Sequence, residues 1–137
     1  MQAKDYLRQA YRLNELIKCN QQELEELKDL ATNLPATDYS KDRVQSSPSG
    51  DASYTKIVEK IVELEKAIKE DIEMLLSLKL EIRTVINEVV DNEEKLLLKH
   101  RYLNFTSWED ICDDMNMSMR TVHRLHSSAL MSVKVPK

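Results

Sequence analysis

The stretch SWEDICDDMNMSMRTVHRLHS, residues 107–127, has the spacing of a helix-turn-helix. Ser107 and Ser118 are of the residue type that caps helix N-termini, and they predict one helix over 108–115 and a second that begins at residue 119. The link between them is so short that the two helices must cross steeply and share a small core. It opens with an asparagine, which tolerates the left-handed backbone conformation better than other non-glycine residues.

Apolar side chains occur where this small core needs them. Segment 91–94 (DNEE) predicts that one helix ends and another begins there. The short helix that follows is expected to form the third wall of this core. A plain small helical bundle is the alternative interpretation, but the caps and the turn favour a helix-turn-helix. The tail from about 132 to 137 is expected to fray. The expected core comprises Leu97, Tyr102, Phe105, Trp108, Ile111, Met115, Met117, Val122 and Leu125.

The second motif helix carries the candidate binding residues. At about 100° per residue, Val122, Leu125 and Ala129 turn inward. The candidate DNA-binding residues are the cap Ser118, the outward-facing Arg120, His123, Arg124 and Ser127, and Thr121 at the flank. Arginine has the bidentate fork that binds guanine in the major groove or holds a phosphate, whereas a solvated surface side chain is the alternative for each position.

Charge is unevenly distributed along the chain. The formal net charge is −4, which argues against indiscriminate nucleic-acid binding. Residues 116–137, however, contain four basic side chains, two histidines and no acid. A local basic face can dock on phosphate even in an acidic chain. The acids of the first motif helix leave the second helix as the attractive surface.

The N-terminal two thirds of the chain have a coiled-coil pattern. One apolar seam runs from Tyr6 to Leu34 with Asn20 as its polar position, and a longer one runs from Tyr54 to Val89 with Asp71. Proline, glycine and serine in 35–53 predict a loop between them. The seams favour an antiparallel hairpin within the chain, and a homo-oligomer formed through the coiled coil is the competing arrangement. Apolar residues that flank the second seam predict more than one packing neighbour for that helix.

Composition sets the fold class. One glycine, three prolines and little aromatic content favour an all-α protein, with a coiled-coil hairpin over 1–92 and a helix-turn-helix domain over 93–137. No apolar run spans a membrane and the N-terminus lacks a signal peptide, so we expect a cytoplasmic protein without a membrane partner. Cys19 and Cys112 are expected to be buried, reduced thiols.

The polar residues do not suggest catalysis or a cofactor. Cys112, His123 and His126 lack a zinc-ligand spacing, and His126 is instead expected to pack against the preceding helix, with His100 half-exposed. The many carboxylates lie on polar faces of the coiled coil, without a nucleophile motif or a glycine-rich loop beside them. We therefore expect neither an enzyme, nor a metal site, nor a bound cofactor.

The segments LLKHRY (97–102), SWEDI (107–111) and SMRTVHRLH (118–126) together resemble region 4 of bacterial sigma factors. More closely, the chain resembles small sigma-region-4-like proteins of phages and prophages, a family of unknown function related to the ArpU and RinA type late transcription regulators. The resemblance extends to the N-terminal hairpin and to segment 42–48.

This resemblance implies a phage or prophage transcription regulator that places its second motif helix in the major groove of double-stranded DNA and contacts RNA polymerase. The alternative hypothesis is a protein-interaction adaptor, in which the coiled coil binds a partner such as RNA polymerase and the motif does not bind DNA. Basic residues on the second motif helix favour DNA, whereas the acidic chain with its long apolar seam favours the adaptor.

Overall fold

The computed structural model describes residues 1–39 and 48–137, with side chains over 1–33 and 52–137. All regular structure in this part of the chain is α-helical, which confirms the all-α prediction. None of its helices is both long enough and apolar enough to cross a membrane. The helices are α1 (Ala3–Tyr39), α2 (Pro48–Asn87), α3 (Asn92–Tyr102), α4 (Trp108–Met115) and α5 (Met119–Ser132).

Both apolar seams of the long helices face inward. From Tyr6 to Ala31 every seam residue is buried or half-buried, and the same holds from Ile57 to Val89. The Tyr6 hydroxyl donates to Glu81 at 3.0 Å, and Lys28 pairs with Glu65 at 3.5 Å. The later residue of α1, Lys28, contacts the earlier residue of α2, Glu65. These pairs are therefore compatible with the predicted antiparallel hairpin.

The chain divides into two compact units. The first comprises 1–14 and 74–137, and the second comprises 15–73. The first unit contains a core drawn from both of its segments, because N-terminal side chains are buried with residues of α2, α3 and α5. The buried members are Tyr6, Leu7, Ala10, Ile82, Val85, Ile86, Val89, Leu98, Tyr102 and Ala129. The predicted domain boundary at 92/93 stays a prediction.

The two long helices are longer than the sequence signals indicated. We predicted a loop over 35–53, but α1 continues to Tyr39 and α2 begins at Pro48. Proline is well tolerated at a first helical position, which Pro48 occupies in α2, because its missing N–H would be unpaired there in any case. The rest of the predicted loop, 40–47, lies outside the described residues.

Apolar residues that flank the α2 seam have different environments. Ile86 is buried in the core of the first unit, so it does have a second neighbour. The other flanking residues are exposed, so the described part of the chain does not cover them, and a second neighbour for them stays a prediction. In the second unit these are Val58, Val62 and Ile72, and in the first unit Leu76, Leu80 and Val90.

Two smaller expectations also need correction. Cys112 is half-buried, but Cys19 is exposed because position 19 lies on the outer face of α1, away from the seam; both thiols are free. The tail does leave the helix after Ser132. It does not simply fray, since Val133 and Val135 are half-buried against the core of the first unit and apolar burial holds them there.

Candidate nucleic-acid interface

Helices α4 and α5 form the predicted helix-turn-helix. Ser107 caps α4 by accepting a hydrogen bond from the Asp110 N–H at 3.2 Å, and Ser118 caps α5 through the Thr121 N–H at the same distance. Asn116 has φ 57° and ψ 47°, the left-handed conformation predicted for the end of the first helix. The turn therefore has the chemistry that its sequence indicates.

A compact apolar core holds the motif together. Leu97 of α3, Ile111 of α4 and Val122 of α5 are fully buried there, and five partly buried side chains pack around them, all of which except Cys112 were predicted for this core. These are Trp108, Cys112, Met115, Met117 and Leu125. The prediction was wrong for Phe105 and partly wrong for Tyr102, which belong to the other core of the first unit. That core includes the N-terminal turns of α1, whose approach to α3 no local pattern reveals.

All six predicted binding residues are exposed. Ser118, Arg120, Thr121, His123, Arg124 and Ser127 lie at or after the start of α5, while Val122 and Ala129 face inward with no exposed surface. Arg120 and Arg124 are one helical turn apart, so their side chains share a face. Neither arginine forms an ion pair within the part of the chain that the structure describes. This face has two unneutralised cations available for an anionic partner.

The first motif helix has the opposite charge. Glu109, Asp110, Asp113 and Asp114 are all exposed on α4. Carboxylates repel phosphate, so attraction to a nucleic acid is confined to α5 and to whatever cations lie beside it. The acidic surface of the motif thus lies on α4, and its exposed cations lie on α5.

Trp108, at the start of α4, is the point where three cationic or titratable side chains meet. The Arg101 guanidinium lies 4.4 Å from the indole centroid, in cation–π geometry. The His123 and His126 rings lie 4.7 and 4.8 Å away. His123 was predicted simply to face outward, but its ring also packs against the indole. This contact restricts the orientation of an exposed α5 side chain.

His126 is buried, and it packs against α4 as predicted. Its Nε2 lies 2.7 Å from the Tyr102 hydroxyl in a hydrogen bond between α5 and α3. Burial lowers the pKa of His126 to about 4, and Coulombic interactions with Lys4, His123 and Arg101 act in the same direction. The imidazole is therefore neutral near pH 7, and it serves to orient α5 against α3.

A buried carboxylate that we did not predict provides a second link between these helices. Glu94 of α3 is only 8 % exposed and accepts hydrogen bonds from Ser128 at 2.5 Å and from Ser132 at 2.7 Å. The four-residue spacing of the two serines places both hydroxyls on one face of α5. The spacing of the two serines is a sequence signal for a shared contact, but it does not identify Glu94 as the acid that they contact.

Among the described residues, no group of three or more histidine, cysteine or acidic side chains is arranged to hold a metal ion. One family model matches the chain, over residues 33–134, and its description is "Protein of unknown function (DUF1492)". The matched range contains all of α3, α4 and α5. No curated protein and no solved structure matches.

Proposed function

We propose that the chain, which belongs to the DUF1492 family, binds double-stranded DNA sequence-specifically through α5 and acts in phage or prophage transcription control. The observation that carries the proposal is the outer face of α5. It presents Arg120 and Arg124 without a carboxylate partner, next to Thr121 and Ser127, on a helix that follows a tight capped turn.

The chemistry of this face supports base contacts. Two arginines one turn apart can each form a bidentate pair with guanine O6 and N7, or hold a backbone phosphate. Thr121 can meet a phosphate or a thymine methyl group. Because a helix of this size fits the major groove, these side chains would reach base edges while the α4 acids stay outside the groove.

Mutation of the two arginines tests the proposal. Binding of the purified protein to fragments of its own genomic neighbourhood would be measured at two or more salt concentrations. We expect fragment-selective binding that weakens with salt and that is lost in Arg120→Ala/Arg124→Ala. The matched control is Arg12→Ala/Arg83→Ala, which removes the same charge from exposed positions on α1 and α2. Equal loss in both double variants would show a nonspecific charge effect and contradict α5 as the specificity element.

The second candidate function is a protein-interaction adaptor. It is favoured by exposed Leu76 and Leu80 on α2, which are 60 % and 56 % exposed, because large apolar side chains in a row are typical of a helix-binding surface. The partner that the sigma-factor resemblance suggests is RNA polymerase. Binding of purified bacterial RNA polymerase that is lost in Leu76→Ser/Leu80→Ser, together with no binding to any DNA fragment, would favour the adaptor.

A further inference from the structure

A cavity of about 230 Å³ opens between α1, α3 and the start of α4, and nothing in the proposed function uses it. Three of its six lining side chains are cationic and the other three are aromatic. Its lining comprises Lys4, Arg8, Tyr11, Arg101, Tyr102 and Trp108.

The cations around this cavity have no acidic partner. Lys4, Arg8 and Arg101 form no ion pair within the described part of the chain, and none of the lining residues is acidic. Arg101 is held in place, because it donates to the Thr106 carbonyl at 3.0 Å and packs on Trp108. Positive charge is therefore concentrated in a concave site without being neutralised.

Electrostatics within the first unit show that these charges converge. Lys4 and Arg101 both contribute to the lowered pKa of His126, in addition to its burial. Burial raises the pKa of Tyr102, while Arg101 and Arg8 act against that rise. Cations from α1 and α3 thus act on the same two buried side chains, Tyr102 and His126. Like charges that are brought together without an acid repel one another, and an anion between them would offset this repulsion.

The size and lining of the cavity indicate the chemical class of that anion. Pockets for drug-sized ligands usually measure roughly 300–1,000 Å³, so this one suits a single small group or one unit of a longer chain. Two guanidinium groups and an ammonium group match the several oxygens of a phosphate, which arginine binds in a bidentate manner. We propose that this cavity binds a phosphate group, held by Lys4, Arg8 and Arg101.

The phosphate has two possible sources, and they predict different behaviour. His123, an exposed residue of the proposed DNA-binding helix, packs on Trp108 in the cavity wall, so a backbone phosphate of DNA bound at α5 would lie near the cavity. A free phosphate ester or inorganic phosphate has the same chemistry. The proposal concerns the cavity itself and does not depend on sequence-specific DNA binding by α5.

Trp108 provides a direct readout, because it is the only tryptophan in the chain and its indole resonance needs no further assignment. The full-length protein would be titrated with inorganic phosphate and, separately, with a short DNA duplex, against sodium chloride at matched ionic strength. The indole N–H shift would be followed by NMR. The test variant is Lys4→Gln/Arg8→Gln, and the control is Arg12→Gln, an exposed arginine of α1 outside the cavity lining.

We expect a saturable indole shift that chloride does not produce, with affinity at least about 10-fold weaker in the test variant and unchanged in Arg12→Gln. A shift with inorganic phosphate identifies a site for a free phosphate group, and a shift with duplex alone identifies a backbone contact. The proposal is overturned if neither titrant gives a saturable shift, or if the test and control variants respond alike. Failure of α5 to bind DNA would appear separately, as Arg120→Ala/Arg124→Ala behaving like the wild type.

Discussion

The Tyr102 hydroxyl and the His126 Nε2 lie 2.7 Å apart, and they join α3 to α5 within the first unit. The two rings also stack at 5.8 Å between centroids. Because burial favours the neutral imidazole over the charged one, the packing of α5 against α3 is linked to the protonation of one histidine.

This dependence predicts lower stability in mild acid. The pKa of His126 is about 4 when folded and near 6.5 when unfolded, so the unfolded chain takes up the proton first as the pH falls. The contribution of the neutral His126 to stability is present above about pH 6.5 and is lost as the pH falls towards 4. Between pH 7 and pH 5 the contribution of His126 to the free energy of unfolding should fall by about 2 kcal/mol. Urea unfolding at pH 7 and at pH 5 measures this difference in the free energy of unfolding.

His126→Gln isolates this contribution from those of other titrating groups. The glutamine variant should be less stable at pH 7, and its stability should fall by about 2 kcal/mol less than that of the wild type between pH 7 and pH 5. An identical fall in both proteins would mean that His126 is not the group responsible.

The left-handed conformation of Asn116 makes a second prediction. The left-handed conformation costs an L-residue with a β-branched side chain about 1–2 kcal/mol. Asn116→Val should therefore lower the free energy of unfolding by that amount. Asn116→Gly should change it by less than about 1 kcal/mol, because glycine adopts the conformation without steric conflict. Thermal unfolding of both variants compares them directly. Equal destabilisation by glycine and valine would attribute the effect to the lost asparagine side chain instead.

The buried carboxylate of Glu94 makes a third prediction. Glu94→Ala removes the acceptor of two serine hydroxyls on α5. A hydrogen bond contributes roughly 0.5–1.5 kcal/mol net, so we expect the free energy of unfolding to fall by about 1–3 kcal/mol. Glu93→Ala, at an exposed position in the same helical turn, should lower stability by less than about 1 kcal/mol. A double-mutant cycle of Glu94→Ala with Ser132→Ala would show a coupling energy near zero if the two side chains do not interact.

Support of the motif by α1 makes a fourth prediction. Leu7 is fully buried in the core that contains Tyr102 and Ala129, so Leu7→Ala should lower the free energy of unfolding by about 2–5 kcal/mol. Leu16→Ala, a change of the same size at a position 51 % exposed, should cost less than about 1 kcal/mol. Fluorescence of Trp108 during urea unfolding reports whether α4 unfolds together with this core. A Trp108 transition that Leu7→Ala leaves unchanged would show that α4 does not depend on α1.

Local patterns sufficed to predict much of the fold. The helix starts at Trp108 and Met119 follow from their serine caps, and the seams of α1 and α2 follow from alternating steps of three and four. These features depend on interactions between residues fewer than about five positions apart. Helix ends near Tyr39 and Pro48 were placed less well, because propagation competes with the same proline and serine signals that mark loops.

Contacts between distant residues were beyond such patterns. Phe105 lies 5.8 Å from Tyr11 and under the ammonium of Lys79, and it has φ 56°. Nothing around position 105 indicates partners about 94 and 26 positions away. The same reason explains the different outcome for the two sites. Ser118 and the five α5 residues are close in sequence and were predicted as a site, whereas the cationic cavity was not, since Lys4 and Arg8 precede Arg101 by more than 90 positions.

The composition of the first unit from 1–14 and 74–137 has a consequence for synthesis of the protein. During translation Tyr6, Leu7 and Ala10 emerge early, but Ala129, which completes their core, emerges more than 110 residues later. The core of this unit cannot be completed earlier, because its non-local contacts require both segments. The nascent chain must therefore keep its first apolar turns from associating elsewhere until α5 has left the ribosome, and the unit that carries the motif assembles only then.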